Sequence, residues 1–240
     1  MKARAFETSP QIYARTAAIL YLVVVTAGII AQMVIGGRII VEGDAAATAN
    51  NILAQKDLFQ LGFTFYLIEM TCQTAQAVLF CILLRPANRN VALLALVFSL
   101  VGCTIKTISR LFYIAPLLLL GSPAYLTTFS AEQLQSLALL LINVNHQAAG
   151  IALAFFGVST FLNGYLIFRS GFLPRILGVL SMLAGLGWLT FLYPSLGNQL
   201  FMYIILLGLL GSALEILWLL IKGVNVEKWN EASRLQSAAA

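Results

Sequence analysis

The chain has 240 residues, of which 60% are hydrophobic and 10% are charged, and its mean hydropathy is +0.92. Soluble domains are roughly half apolar and one-quarter charged. This composition therefore excludes a soluble enzyme and, despite a net charge of +5, a nucleic-acid-binding protein. Three cysteines are too few for a disulfide scaffold, and all three lie in apolar runs where a thiol is usually a packing group. The composition indicates an integral membrane protein.

Six apolar runs are long enough to cross a bilayer, because a hydrocarbon core of about 30 Å needs about 20 apolar helical residues. They lie at about residues 12–36, 59–84, 91–120, 137–168, 176–195 and 200–221. The first run is too long for the apolar region of a signal peptide, and no clear small-residue cleavage site follows it. The sequence therefore predicts an all-α bundle of six transmembrane helices that forms one membrane domain over residues 1–240.

Basic residues outside the runs predict the orientation of the bundle by the positive-inside rule. Ten lysines and arginines fall on one side of the predicted membrane: Lys2, Arg4, Arg15, Arg85, Arg89, Arg169, Arg175, Lys222, Lys228 and Arg234. The opposite loops hold Arg38 and Lys56, which several acidic residues offset. Both termini are therefore predicted to be cytoplasmic. The Ser- and Ala-rich end after Trp229 is expected to be a frayed tail.

The longest outer loop, residues 37–57, contains a helix signal. Asp44 is a good N-cap for the alanine-rich stretch from Ala45 to Gln55. One hypothesis is a short helix on the outer surface that acts as a lid over the bundle. The alternative is that the loop merely joins two helix ends.

Five ionisable residues fall within the predicted spans, where charges are costly and usually face the bundle interior: Glu69, Lys106, Arg110, His146 and Glu215. At about 1.5 Å of rise per residue, they fall into two tiers, about 15 Å and about 21 Å below the outer helix ends. Lys106 and Glu215 belong to the deeper tier. Similar depth and opposite sign predict that carboxylates on other helices face the two basic residues.

Helical spacing extends this constellation. Lys106 and Arg110 share one face because they are four residues apart, and Asn143 and Gln147 share the face of His146. Gln73 likewise continues the face of Glu69. The candidate ligand-binding set is therefore Glu69, Gln73, Lys106, Arg110, Asn143, His146, Gln147 and Glu215. In this hypothesis the basic pair binds a small anionic or lipid-like ligand, the glutamates balance the charge, and His146 couples occupancy to protonation.

Two other interpretations remain open. Buried ion pairs can simply fix helix packing, as in a non-catalytic structural or accessory membrane protein. An intramembrane enzyme with His146 as general base is a third class, but the sequence offers it no evident nucleophile or metal site. No cofactor is predicted, because there is no ligand cluster for a metal, no histidine pair for haem and no glycine-rich phosphate loop.

Small and amide side chains predict contacts between helices. Gly178, Ser181 and Gly185 fall on one surface of the fifth helix, where a neighbour can approach closely. Asn145 and Asn163 are expected to make interhelical hydrogen bonds rather than to bind a ligand.

Several short motifs carry a family resemblance: Gly43-Asp44-Ala45, Leu84-Arg85-Pro86, Phe155-Phe156-Gly157, Gly164-Tyr165-Leu166-Ile167, Arg169-Ser170-Gly171 and Leu173-Pro174-Arg175. Together they closely resemble the bacterial membrane family catalogued as domain of unknown function 4386. The likeness covers nearly the whole chain, although Gln60 and Ser99 stand where that pattern leads us to expect arginine. The resemblance implies a multi-pass protein of the bacterial cytoplasmic membrane, and it brings no established activity or site residues.

Overall fold

The computed structural model describes residues 9–121 and 128–238, and the regular structure in these ranges is helical throughout. The helices, in chain order, are α1 (Pro10–Ile39), α2 (Ala45–Ala54), α3 (Lys56–Leu84), α4 (Arg89–Leu120), α5 (Ala131–Ser170), α6 (Arg175–Leu192), α7 (Pro194–Ile221) and α8 (Val226–Ala238). Lys2 and Arg4, which contributed to the predicted orientation, lie outside the described residues. The cytoplasmic location of both termini stays a prediction.

Six of these helices, α1 and α3 to α7, are long and apolar enough to cross a membrane. This confirms the predicted all-α fold with six candidate spans. The fifth predicted run extended too far, because α6 ends at Leu192 and Pro194 begins α7. Tyr193 between them is extended, and proline is favoured in the first turn of a helix because it lacks the N–H that would go unused there.

The spans present large apolar side chains outward. Leu111, Ile176 and Met202 are each more than 60% exposed in the isolated chain. Many further large apolar side chains of the spans are also exposed, and soluble proteins seldom expose so much apolar surface. It indicates contact with the lipid of a bilayer.

The described residues divide into two compact units. The first holds the residues up to Leu22, Cys72–Gly102 and the residues from Leu153 onward; the second holds Val23–Thr71 and Cys103–Ala152. Helices α1, α3, α4 and α5 contribute a segment to each unit, α2 lies in the second, and α6 to α8 lie in the first. The single-domain organisation stays a prediction.

Each unit has an apolar core of its own. In the first unit, Leu83, Leu166 and Leu219 belong to one buried cluster. In the second unit, Phe59 and Ile142 belong to another. Contiguous buried clusters of this type mark the interior of a folded unit.

The short helix predicted within residues 37–57 is present as α2, while its location on the outer side stays a prediction. The Asp44 side chain accepts a hydrogen bond from the backbone N–H of Ala47 at 2.8 Å, which confirms the predicted N-cap. Asn51 donates to the carbonyl of Ile39 at 3.1 Å, and the Thr48 hydroxyl is within 3.0 Å of both backbone polar groups of Val41. These bonds hold α2 against the end of α1. Its role as a lid stays a prediction.

The expected close approach of a neighbour to the small residues of α6 is confirmed, and the structure identifies that neighbour as α5. A Cβ atom built on Gly178 would lie 2.6 Å from the carbonyl oxygen of Gly164. A Cβ atom built on Gly185 would lie 2.6 Å from the backbone nitrogen of Phe161. The two backbones touch at positions where any larger residue would separate them.

The prediction of a frayed tail after Trp229 was wrong, because the chain forms α8 (Val226–Ala238). Asn225 stands just before this helix, and its side-chain oxygen accepts from the backbone N–H of Lys228 at 3.1 Å. The Trp229 indole donates to the carbonyl of Leu83 at 2.8 Å. The N-cap and this anchor favour a helix over a disordered end.

Candidate functional site

Two of the predicted charges in the second unit form an ion pair. The Nζ atom of Lys106 on α4 lies 2.6 Å from Oε1 of Glu69 on α3, and Glu69 is only 5% exposed. The two residues were assigned to different depths along their helices. The four-carbon stem of lysine spans that offset, because it can lie along the bundle and place the ammonium away from its Cα atom.

Glycine on α1 makes room for the Glu69 carboxylate. A Cβ atom on Gly28 would lie 3.2 Å from Glu69 Oε1, which is tighter than ordinary van der Waals contact. The second carboxylate oxygen, Oε2, is buried and has no hydrogen-bond partner. One oxygen of this carboxylate therefore pairs with lysine, while the other is an acceptor without a donor.

Arg110 is the most deeply buried charge of the second unit, at 1% exposure. Its Nη1 atom donates to Oδ1 of Asn145 on α5 at 3.0 Å. The guanidinium carbon Cζ lies 3.7 Å from the centroid of the Tyr66 ring. Within residues 9–121 and 128–238, no carboxylate approaches this guanidinium within 4.0 Å. Its neighbours are thus an amide oxygen and a π face.

Aromatic side chains hold this arrangement in place. The Tyr66 hydroxyl donates to Oε1 of Gln32 at 2.8 Å. The Tyr113 ring packs edge-on to Tyr66, with centroids 5.1 Å apart, and stacks on Phe59 at 4.3 Å. Gln32 lies in a π-helical stretch of α1, Ile30–Gly36. π-Helical stretches are uncommon in proteins, and those that occur are often located at functional sites.

We call the group formed by Tyr66, Glu69, Lys106, Arg110 and Asn145 the Arg110 site. Two positive charges and one negative charge leave it with one positive charge that no side chain in the group balances. Two donor atoms, Nε of Arg110 and Nδ2 of Asn145, are buried without a hydrogen-bond partner. Because most buried polar groups are paired, these atoms mark a place that suits an anionic acceptor group.

The structure corrects the predicted face of α5. Asn143, His146 and Gln147 do share a face, but all three are exposed, whereas Ile142 and Asn145 are buried. Adjacent helical positions differ by about 100°, so a shift of one residue moves a side chain off the buried face. The buried amide is therefore Asn145, which makes the interhelical hydrogen bond that the sequence suggested.

Glu215 and Gln73 belong to the first unit. Glu215 is 6% exposed, and its Oε2 atom accepts a hydrogen bond from the Ser181 hydroxyl at 3.3 Å. Both predicted residues line a cavity of about 60 Å³ in that unit. Within the described residues, the contact found for Glu215 is with a hydroxyl of its own unit. The expectation that Glu215 balances the charge of Lys106 stays a prediction.

Sequence reasoning missed Tyr66, Gln32 and Gly28. Tyr66 precedes Glu69 by three residues, so helical spacing could have placed both on one face. Gln32 is an amide within a long apolar run and could have been singled out as a costly residue. The closeness of Gly28 to a carboxylate on another helix has no local signal.

Comparison with known proteins agrees with the resemblance seen in the short motifs. Residues 16–223 match the family described as Domain of unknown function (DUF4386). An uncharacterized protein from Archaeoglobus fulgidus is 28% identical over 162 residues, which cover 66% of this chain and 80% of that protein. No solved structure matches the chain. Since the family match covers most of its length, the chain belongs to the DUF4386 family.

Proposed function

We propose that this membrane protein binds an anionic group, carried by a small molecule or by a lipid, at the Arg110 site. The observation that supports this most strongly is the burial of Arg110, at 1% exposure, with no carboxylate within 4.0 Å among the described residues. A charge inside a membrane span is costly unless something compensates it. A bound anion supplies the missing charge.

The unpaired polar atoms support a carboxylate or a phosphate group as the ligand chemistry. Nη1 of Arg110 already donates to Asn145, while Nε of Arg110 and Nδ2 of Asn145 are donors without acceptors. Guanidinium groups bind carboxylates and phosphates with two parallel N–H bonds. Oε2 of Glu69 is a buried acceptor without a donor, which favours a ligand that carries an N–H or O–H beside its anionic group.

The setting that we propose is the bacterial cytoplasmic membrane, with both termini inside and α2 on the outer side. The distribution of lysine and arginine between the loops supports this orientation. In this orientation a ligand reaches the Arg110 site from the outer side, and α2 acts as a lid. In this proposal His146, an exposed residue one position after Asn145 on α5, makes occupancy depend on protonation, because histidine is the side chain that titrates near neutral pH.

Native mass spectrometry of the protein released from membranes tests the proposal. Wild type is compared with Arg110→Ala, and Arg38→Ala, which removes an exposed arginine of the same unit, is the matched control. We expect a discrete extra mass in wild type and in Arg38→Ala that is absent from Arg110→Ala. The value of that mass distinguishes a free acid or phosphate from a lipid. A folded wild type without any retained mass would overturn the proposal.

A second variant keeps the test informative if Arg110→Ala does not fold. Arg110→Lys retains a positive charge but lacks the guanidinium fork that holds a carboxylate or phosphate. We expect it to fold and to retain less ligand than wild type. Full retention in Arg110→Lys would show that the ligand does not use the guanidinium.

A structural or accessory protein is the alternative, and one contact favours it. The 2.6 Å pair between Lys106 and Glu69 satisfies two of the three charges without any ligand. Pairs of this type can serve only to fix how helices pack. On this alternative neither wild type nor the variants retain a ligand, and substitutions in the Arg110 site change stability alone.

A further inference from the structure

The first unit contains a polar cavity that is separate in its residues from the Arg110 site. It has a volume of about 60 Å³, and nine of its twelve lining residues carry a hydroxyl, amide or carboxyl group. These groups come from six helices, including Tyr21 on α1, Gln76 on α3 and Asn163 on α5. The polar lining is therefore not the property of a single unusual helix. Six helices each place at least one polar side chain at this cavity, although the spans are otherwise largely apolar.

Its charge is one-sided. Glu215, which is 94% buried, is the acidic residue in the lining, and no lysine, arginine or histidine lines the described cavity. The Ser181 hydroxyl donates to Oε2 of Glu215 at 3.3 Å. One neutral donor does not compensate an ionised carboxylate at this depth. If it is ionised, Glu215 therefore needs a cation beside it.

The size and chemistry of the cavity limit what that cation is. Ligand pockets for drug-sized molecules have volumes of about 300 Å³ or more, so this cavity admits a few waters or one small ion. Carboxylate, hydroxyl and amide oxygens are the ligands that hard cations prefer. A single carboxylate provides one negative charge, which matches a monovalent ion.

We infer that the Glu215 cavity binds a small monovalent metal cation such as Na⁺. The Glu215 carboxylate supplies the charged ligand, and neutral oxygens from residues such as Ser181, Ser159 and Asn163 complete the coordination. This site goes beyond the proposed anion site and depends on none of its residues. The two proposals therefore succeed or fail independently.

Thermal unfolding of the purified full chain in detergent tests this site. At pH 8 and constant ionic strength, NaCl or KCl replaces choline chloride stepwise. A ligand that binds only the folded state raises the unfolding temperature in a concentration-dependent way. We expect a rise in wild type with at least one of the two metal ions. Glu215→Gln should abolish it, whereas Glu227→Gln, which changes an exposed acid of the same unit, should retain it.

Glu215→Gln is nearly isosteric and removes a buried charge, so it is expected to fold and to be at least as stable as wild type in choline chloride. Ser181→Ala removes one neutral ligand and should move the midpoint of the salt response to a higher concentration. Equal unfolding temperatures of wild type in all three salts at pH 8 would overturn the inference and leave Glu215 as a protonated acid. A salt response that survives in Glu215→Gln would also overturn it.

Discussion

Arg110 lies over the face of the Tyr66 ring, with its guanidinium carbon 3.7 Å from the ring centroid. Tyr66 stands three residues before Glu69 on α3, so one helix face presents a π system to Arg110 and a carboxylate to Lys106. A cation–π contact shielded from water stabilises by about 2 kcal/mol. The aromatic ring thus compensates part of the burial of Arg110, while its excess positive charge remains.

Tyr66→Leu should destabilise the protein more than Tyr66→Phe does. Phenylalanine keeps the π face and loses only the hydrogen bond to Gln32, whereas leucine loses both. We expect the free energy of unfolding to differ between the two variants by about 2 kcal/mol, since a buried guanidinium loses its cation–π partner. Reversible unfolding in mixed detergent micelles measures this difference. If both variants lose the same free energy of unfolding, the aromatic ring contributes only its packing volume and no cation–π interaction.

Lys106→Met and Glu69→Gln should show strong coupling. Each single change leaves a buried charge without its partner, and breaking a buried pair costs about 3 kcal/mol or more in soluble proteins. The double variant has neither charge, so its loss in unfolding free energy should be clearly smaller than the sum of the two single losses. Reversible unfolding in mixed detergent micelles gives the free energies of unfolding of wild type, the two single variants and the double variant. Additive losses would mean that the 2.6 Å contact contributes little to stability.

The helices were predictable because their signals are local. A span requires only a long apolar run, and the α2 cap requires only Asp44 followed by alanines. The small residues Gly178 and Gly185 also predicted a close helix contact, although the structure was needed to identify α5 as the partner. The fifth run was predicted too long because its end depends on the turn at Tyr193 and Pro194. Helix α8 was missed because it depends on a hydrogen bond from Trp229 to Leu83 on another helix.

The candidate site was predictable only in part. Sign and spacing indicated that Glu69 and the basic pair of α4 belong together, which the ion pair with Lys106 bears out. The sequence did not predict which face of α5 is buried. Asn143 and Asn145 are equally polar, and only packing decides that Asn145 is the buried one. Glu215 has the same predicted depth as Lys106, but depth along the helix axis does not tell which side chains lie beside it, such as the hydroxyl of Ser181.

Gly178→Ala should be severely destabilising. Alanine normally favours a helix over glycine by about 1 kcal/mol, but the new Cβ would meet the Gly164 carbonyl oxygen at 2.6 Å. Backbone cannot move aside as a side chain can, so α5 and α6 must separate. Gly211→Ala is the matched control, because the nearest atom to its Cβ would be 3.7 Å away. A lowered unfolding temperature in Gly178→Ala alone is expected, and equal behaviour of the two variants would contradict the close approach.

Asn145→Asp tests whether the excess charge of the Arg110 site is what binds a ligand. The substitution is nearly isosteric and places a carboxylate where the amide oxygen now lies, 3.0 Å from Nη1 of Arg110. It supplies the missing negative charge internally through a charge-assisted hydrogen bond. We therefore expect an unfolding temperature at pH 8 that is at least that of wild type. The retained anionic mass should be lost at the same time.

Asn145→Leu is the partner of that experiment, because it removes the acceptor and supplies no charge. Leaving the guanidinium without this hydrogen bond should cost about 2 kcal/mol, as for other hydrogen bonds to charged groups. Stability should therefore decrease in the order aspartate, asparagine, leucine, while ligand retention is greatest in wild type. An aspartate variant that still carries the anion at wild-type occupancy would show that the excess charge of Arg110 is not what holds it.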